Sequence, residues 1–155
     1  MKSPQAQALL ANIDTAIADI DGFGSIDSKA ISYLTKYLAV FICGIYEEAI
    51  ELIVAGLFAR TGNAAVEQFG RKSVEKGFRN PNIDNVCKLL SLFDDSWPKI
   101  IKALPPENKE ALNSIVSNKN LLAHGQQMNA ITLSDVKKFY SDSRVIIEKI
   151  DEIVL

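Results

Sequence analysis

Apolar residues recur every three or four positions along most of this chain, and the strict alternation typical of a half-buried strand is nearly absent. The repeat predicts four long helices, over residues 4–22, 28–59, 107–125 and 133–153. Capping residues, glycines and prolines fall between these segments, where helices are expected to begin and end. The pattern therefore predicts an all-α bundle of four long helices with short extra helices.

The shorter helical segments are predicted in the middle of the chain. The first starts after Gly62-Asn63 and continues to about Lys76. Three of its apolar residues are predicted to face the core: Val66, Phe69 and Val74. Proline makes residues 78–82 a turn, after which Asn82 caps one short helix and the polar run 94–96 caps another.

Length and composition fit a single domain over residues 1–155. With 48% hydrophobic and 23% charged residues, the chain has ample apolar material for one core. Its net charge of −2 argues against a protein that coats nucleic acid regardless of sequence, because such a protein needs a basic face. An RNA substrate held in a local basic cleft is still compatible with this charge.

Several features favour a cytoplasmic protein that does not enter a membrane. Cys43 and Cys87 lie in helical apolar patterns without the spacing of a zinc or redox motif, which favours reduced core thiols. The N-terminus lacks the pattern of a signal peptide. The apolar stretch 38–58 has membrane-spanning length, but three glutamates between positions 47 and 51 interrupt it. This stretch is therefore predicted to be a buried helix of the bundle.

The segment Lys119–Gly125 contains the only histidine of the chain. On a helix that ends at Gly125, four polar residues share one narrow stripe: Asn113, Ser117, Asn120 and His124. The other sides of this helix carry mostly leucine, isoleucine, valine and alanine. Such a stripe needs a polar partner, a wet cleft or an interface.

His124 has two interpretations. Its imidazolium could stabilise the C-terminus of the helix through the helix dipole. Alternatively, because imidazole titrates near neutral pH, His124 could exchange protons with the ribose and phosphate of RNA. Ser117 lies two helical turns away, roughly 10 Å, which is too far for a nucleophile–base pair with His124. A metal site is not predicted, because no second histidine, nearby cysteine or suitably spaced acid completes a ligand set.

The single histidine has a consequence for oligomeric state. Cleavage of RNA by acid–base catalysis favours two proton carriers, one for the attacking oxygen and one for the leaving oxygen. If histidine fills both roles, two chains must supply them, because each chain has one. A two-fold dimer that joins the polar stripes would place His124 beside its copy.

The motif helix resembles that of HEPN domains, most closely the RiboL-PSP type. Residues 113–125 contain the family pattern of a basic residue, asparagine, three mostly apolar residues and His-Gly. Further segments match in order: Tyr37-Leu38-Ala39-Val40 with Gly44-Ile45-Tyr46-Glu47, Phe78-Arg79-Asn80-Pro81-Asn82, Leu89-Leu90-Ser91-Leu92-Phe93-Asp94, and Thr132-Leu133-Ser134-Asp135-Val136. The resemblance covers roughly residues 30–150.

The resemblance implies a HEPN-like bundle that forms a homodimer through the motif helix. For active members it implies metal-independent endoribonuclease activity that leaves a 2',3'-cyclic phosphate and a 5'-hydroxyl and uses no cofactor. His124 would then supply acid and base, Lys119 would stabilise charge on phosphorus, and Asn120 would orient the phosphate or ribose. Such proteins often act in toxin–antitoxin, abortive-infection or stress and defence systems, with an antitoxin or other protein partner. The alternative is a non-catalytic HEPN module for dimerisation or partner binding.

The chain departs from the family pattern at the first motif position, which is usually arginine. Lys119 keeps the positive charge but lacks the planar, bidentate grip of arginine on phosphate. On a regular helix Lys119 also points away from the stripe that contains Asn120 and His124. To join them it needs a local break in the helix, a long reach or a position across the dimer.

Other charged and polar residues are candidates for supporting roles. Glu47 either orients His124 or Lys119, or belongs with Glu48 and Glu51 to a solvated or interface acidic face. Asn113 and Ser117 support the site as members of the polar stripe. The densest basic stretch adjoins Phe78 and either contacts RNA phosphates or only faces water. It consists of Arg71, Lys72, Lys76 and Arg79.

Overall fold

The computed structural model describes residues 1–126 and 130–155, within which seven helices form. In chain order they are α1 (Pro4–Gly22), α2 (Ser28–Ala59), α3 (Ala64–Gly77), α4 (Ile83–Ser91), α5 (Trp97–Lys102), α6 (Pro106–Ala123) and α7 (Leu133–Val154). Four long helices with shorter insertions confirm the predicted all-α bundle. The mostly polar stretch from Gln126 to Ile131, which separates the last two predicted long helices, lies partly outside the described residues.

Side-chain caps and a glycine set the helix ends close to their predicted positions. At the start of α1, Ser3 Oγ accepts the backbone N–H of Ala6 at 3.2 Å. At the start of α7, Thr132 and Asp135 form a capping box, in which each side chain accepts the other residue's backbone N–H. Beyond α6, Gly125 has a φ of +69°, a left-handed conformation that glycine adopts without steric cost.

Helix α2 is the centre of the bundle and packs against α1, α3, α6 and α7. Its aliphatic residues form much of the core, and Tyr46 is fully buried among them. The Tyr46 hydroxyl lies 2.9 Å from Ser143 Oγ and donates to the carbonyl of Tyr140 at 3.2 Å, so its polar end is satisfied by α7. Of the helices in the described residues, none combines the length and apolar character needed to cross a bilayer.

The prediction for the inward face of α3 was wrong at two of three positions. Val74 is buried, but Phe69 is 73% exposed and Val66 is 40% exposed. Gly70 faces the core instead, because a Cβ atom there would lie 2.3 Å from the Phe58 ring. Close approach of the two helices selects the residue without a side chain, so α3 packs on α2 at Gly70, while Val66 and Phe69 face solvent.

The start of α5 also differs from the prediction. Ser96 occupies the cap position, but its side chain makes no cap hydrogen bond. Instead, Asp94 Oδ1 accepts both the backbone N–H and the hydroxyl of Ser96, at 2.7 and 2.6 Å. These bonds lower the pKa of Asp94, because they stabilise its carboxylate form. Proline in the first turn removes one N–H that would need a cap.

Candidate active site

Helix α6 places the four residues of the polar stripe along one open groove. Asn113, Ser117, Asn120 and His124 all line this groove, which has a volume of about 400 Å³. Asp84 of α4 and Asn82, which caps α4, lie on its other side. The geometry arises because α6 is continuous to Ala123, so that residues three and four apart share a face. We call this depression the His124 groove.

His124 lines the His124 groove directly after the last helical residue of α6. Its backbone N–H donates to the carbonyl of Asn120 at 3.1 Å, and the left-handed Gly125 then turns the chain away from the helix axis. The His124 residue is exposed, so its imidazole is accessible to a substrate. This end position suits both interpretations of the histidine, as a stabiliser of the helix C-terminus and as a proton carrier.

Lys119 does not join Asn120 and His124 in the His124 groove. It lies five residues before His124, which is about 140° around a regular helix. Its ammonium group donates to the side-chain oxygen Oδ1 of Asn80 at 2.9 Å, on the turn between α3 and α4. The helix is unbroken through this position, so a local break does not bring Lys119 to the stripe.

Asn80 is a site residue that the sequence prediction missed. It has a φ of +54°, its backbone N–H donates to Glu47 Oε2 at 2.9 Å, and its carbonyl accepts Asn85 Nδ2 at 2.9 Å. Glu47 therefore reaches Lys119 indirectly, through the backbone and then the side chain of Asn80. The available signal was the asparagine itself, since asparagine tolerates left-handed backbone better than most residues, whereas the proline that follows it only argues against a helix.

Cys43 is close to Lys119 and Glu47 but is not set up as a nucleophile. Burial raises the pKa of its thiol to about 11, because the apolar surroundings disfavour a thiolate. The positive charge of Lys119 opposes this shift and the negative charge of Glu47 adds to it, but burial dominates. Cys43 therefore stays a protonated core thiol at neutral pH, as the sequence pattern predicted.

The four basic residues predicted to contact RNA are not equivalent in the structure. Arg71 bonds Glu75 at 2.9 Å, and Arg79 bonds Glu51 at 3.1 Å and lies 3.7 Å from Glu47. Lys72 and Lys76 are exposed on α3. Carboxylates thus neutralise both arginines to a large extent, and the lining of a second groove beside them has more glutamates than arginines. This acidic groove is lined by Gly44, Glu47, Glu48, Glu51, Leu52, Ala55, Arg71, Glu75 and Arg79.

Of the two supporting residues on the stripe, Asn113 also has a structural role. Its Oδ1 accepts the backbone N–H of Ile83 at 3.0 Å, so it satisfies one of the unpaired donors at the start of α4. This bond joins α6 to the segment that forms the opposite wall of the His124 groove. Ser117 is exposed in the groove between Asn113 and Asn120.

Comparison with known proteins identifies the family of the chain. The sequence model described as RiboL-PSP-HEPN matches residues 5–155, essentially the whole chain. No curated protein and no solved structure gives a significant match. The matched range includes the motif helix, the turn at 78–82 and the last helix, which are the segments that carry the resemblance. The chain belongs to the RiboL-PSP-HEPN family.

Proposed function

We propose that this protein is a metal-independent endoribonuclease of the HEPN type that acts as a homodimer. Family membership supports a nuclease or RNA-related role in general. The observation that carries the finer proposal is the exposed imidazole of His124, which shares an open groove with the Asn120 side chain. A proton carrier and an amide on one accessible surface are two of the groups that cleavage of RNA needs.

In the proposed reaction, the neutral imidazole of one His124 removes the proton of a ribose 2'-hydroxyl. The 2'-oxygen attacks the adjacent phosphorus, the bond from phosphorus to the 5'-oxygen breaks, and a 2',3'-cyclic phosphate forms. The imidazolium of the second His124, in the partner chain, protonates the departing 5'-oxygen and leaves a 5'-hydroxyl. Asn120 orients the phosphate or ribose through its side-chain amide.

An exposed apolar stripe on α2 supports the homodimer. Tyr33, Tyr37 and Val40 are 61%, 53% and 44% exposed, and Gly44 continues the same side of the helix. Their spacing of four, three and four residues puts them on one face. This stripe ends near Cys43 and Glu47. Cys43 lies close to Lys119, and Glu47 bonds Asn80, the partner of Lys119, so a second copy on the stripe would lie near the Lys119 side of the motif. A monomer would leave this apolar surface in water.

Lys119 fits a role across the dimer. Its own chain holds it away from the His124 groove, against Asn80. The bond partner is a neutral amide, so the positive charge of Lys119 is not neutralised there as those of the two arginines are. We infer that each Lys119 stabilises phosphorane charge at a site completed by both chains, in a setting such as a toxin–antitoxin, abortive-infection or stress and defence system.

The central test is RNA cleavage in the presence of EDTA by the purified wild type and by His124→Ala. We expect the wild type to produce fragments with 2',3'-cyclic phosphate and 5'-hydroxyl ends, and the variant to lose activity by at least about 100-fold, since it lacks both proton carriers. Circular dichroism should show an unchanged fold, because His124 is exposed. Full activity of His124→Ala, or cleavage only with added metal, would contradict the mechanism.

A second candidate function is a non-catalytic HEPN module that dimerises or binds a protein partner such as an antitoxin. It is favoured by lysine in the usual arginine position and by the separation of Lys119 from the His124 groove within one chain. A wild-type protein that dimerises but cuts none of the RNAs in total cellular RNA would favour this candidate over the nuclease.

A further inference from the structure

We propose that a groove between α3 and α4 binds one unpaired nucleotide of an RNA substrate, with its base on the apolar floor. This proposal rests on the proposed function, because it names a subsite for the same substrate. The α3–α4 groove has a volume of about 630 Å³, within the range of small-ligand sites. Its lining includes Phe58, Gly77, Arg79, Lys88, Leu92 and Phe93.

The floor of the α3–α4 groove offers apolar and aromatic surface for a base. Phe58 and Phe93 are partly exposed, and their rings meet edge to face with centroids 5.6 Å apart. Leu92, at the end of α4, is 78% exposed. A base that stacks on such side chains removes apolar area from water on both partners, and the interaction tolerates any base.

The charge of the α3–α4 groove favours an anionic occupant. Its charged lining residues are Lys88, which forms no ion pair among the described residues, and Arg79, whose guanidinium also bonds Glu51 outside the groove; no residue in this described lining carries a carboxylate. The neighbouring acidic groove, by contrast, contains four glutamates. The chain as a whole has a net charge of −2, so a positive charge beside an apolar floor is a local exception. Such a groove suits a base attached to phosphate better than it suits an uncharged apolar peptide.

The turn between α3 and α4 connects this groove to the candidate active site. Asn80 lines the α3–α4 groove and also accepts the hydrogen bond of Lys119. Asn82, two residues later, lines the His124 groove. The Asn85 side chain holds the turn by donating to the carbonyls of Arg79 and Asn80, at 3.0 and 2.9 Å. A single strand that crosses this turn would contact both grooves.

The test measures binding of a fluorescein-labelled, unstructured oligoribonucleotide by anisotropy, in a His124→Ala background that prevents cleavage. Gly77→Leu should fill the α3–α4 groove, because a Cβ atom at Gly77 meets open space. We expect it to weaken RNA binding by about fivefold or more, the loss of one stacked base. Gly22→Leu is the matched control, since Gly22 is likewise the last residue of a helix with open space at its Cβ position.

A second pair of variants tests the positive charge of the α3–α4 groove. Lys88→Ala should weaken binding and reduce the salt dependence of the affinity, whereas Lys99→Ala, an exposed lysine of α5 outside the groove, should do neither. Unchanged affinity of Gly77→Leu, or the absence of RNA binding by the parent protein, would overturn the subsite and favour a protein partner for this groove. Cleavage assays with His124 intact distinguish failure of the subsite from failure of the proposed function. If the protein cleaves RNA in a His124-dependent way but Gly77→Leu leaves RNA binding unchanged, only the subsite is refuted.

Discussion

At the scale of single residues, the turn before α4 depends on the conformation of Asn80. Its φ of +54° is uncommon for a residue other than glycine. Four hydrogen bonds hold it there, three through the backbone and one through the side chain. The three backbone bonds depend on the backbone conformation and the fourth depends on the side-chain amide, so substitutions can separate the two contributions.

We expect Asn80→Ala to be less stable than Asn80→Gly by about 1 kcal/mol, because left-handed backbone is costly for alanine and not for glycine. Both variants lose the side-chain acceptor of Lys119, so the difference between them isolates the backbone cost. Urea unfolding of the two variants measures it. Equal stabilities would mean that the turn relaxes to another conformation when the asparagine is removed.

At the scale of the element, helix α7 owes its starting point to the capping box of Thr132 and Asp135. The Asp135 carboxylate accepts the backbone N–H and the hydroxyl of Thr132, and these bonds lower the pKa of Asp135. A carboxyl group whose pKa is lower in the folded state stabilises the fold above its unfolded pKa of about 4. That contribution is lost as the pH falls through the lowered folded pKa.

Thr132→Ala should reduce the free energy of unfolding at neutral pH by about 1 kcal/mol, the usual effect of losing a threonine cap. The difference from the wild type should shrink on acidification below about pH 4, because protonated Asp135 no longer favours the box. Thermal unfolding followed by circular dichroism over a pH series tests this. A difference that stays constant down to the acid transition would contradict the role assigned to the carboxylate.

At the scale of the whole molecule, the proposal depends on two chains meeting on the exposed side of α2 and α6. Val40 and Val145 offer a matched pair, since they are 44% and 40% exposed on α2 and α7 respectively. Val40 belongs to the apolar stripe that the proposed dimer covers, and Val145 lies outside it. A glutamate at either place is tolerated in a monomer but is costly in a buried interface.

Val40→Glu should convert a dimer into a monomer at micromolar concentration and remove RNA cleavage with it. Val145→Glu should preserve both the dimer and the activity. Light scattering coupled to size-exclusion chromatography reports the mass, and the EDTA cleavage assay reports the activity. A wild type that is monomeric, or a monomeric Val40→Glu that cuts RNA normally, would refute the shared site.

Much of this protein is determined by local pattern. The long helices and their ends follow from helical periodicity, the Thr132–Asp135 box and Gly125. These features are local, because each depends only on residues within a turn or two of one another. The stripe of Asn113, Ser117, Asn120 and His124 follows from the same geometry, and the structure places these residues along one groove. The motif also identifies the family from sequence.

Tertiary structure alone decides how the segments meet. Gly70 rather than Phe69 faces α2, because the distance between two helices sets how much side chain fits between them. Lys119 meets Asn80, and Glu47 meets the same asparagine from another helix, although 39 and 33 residues separate these partners in sequence. No periodicity encodes such contacts, since they arise from the packing of α2, α6 and the turn before α4 in three dimensions.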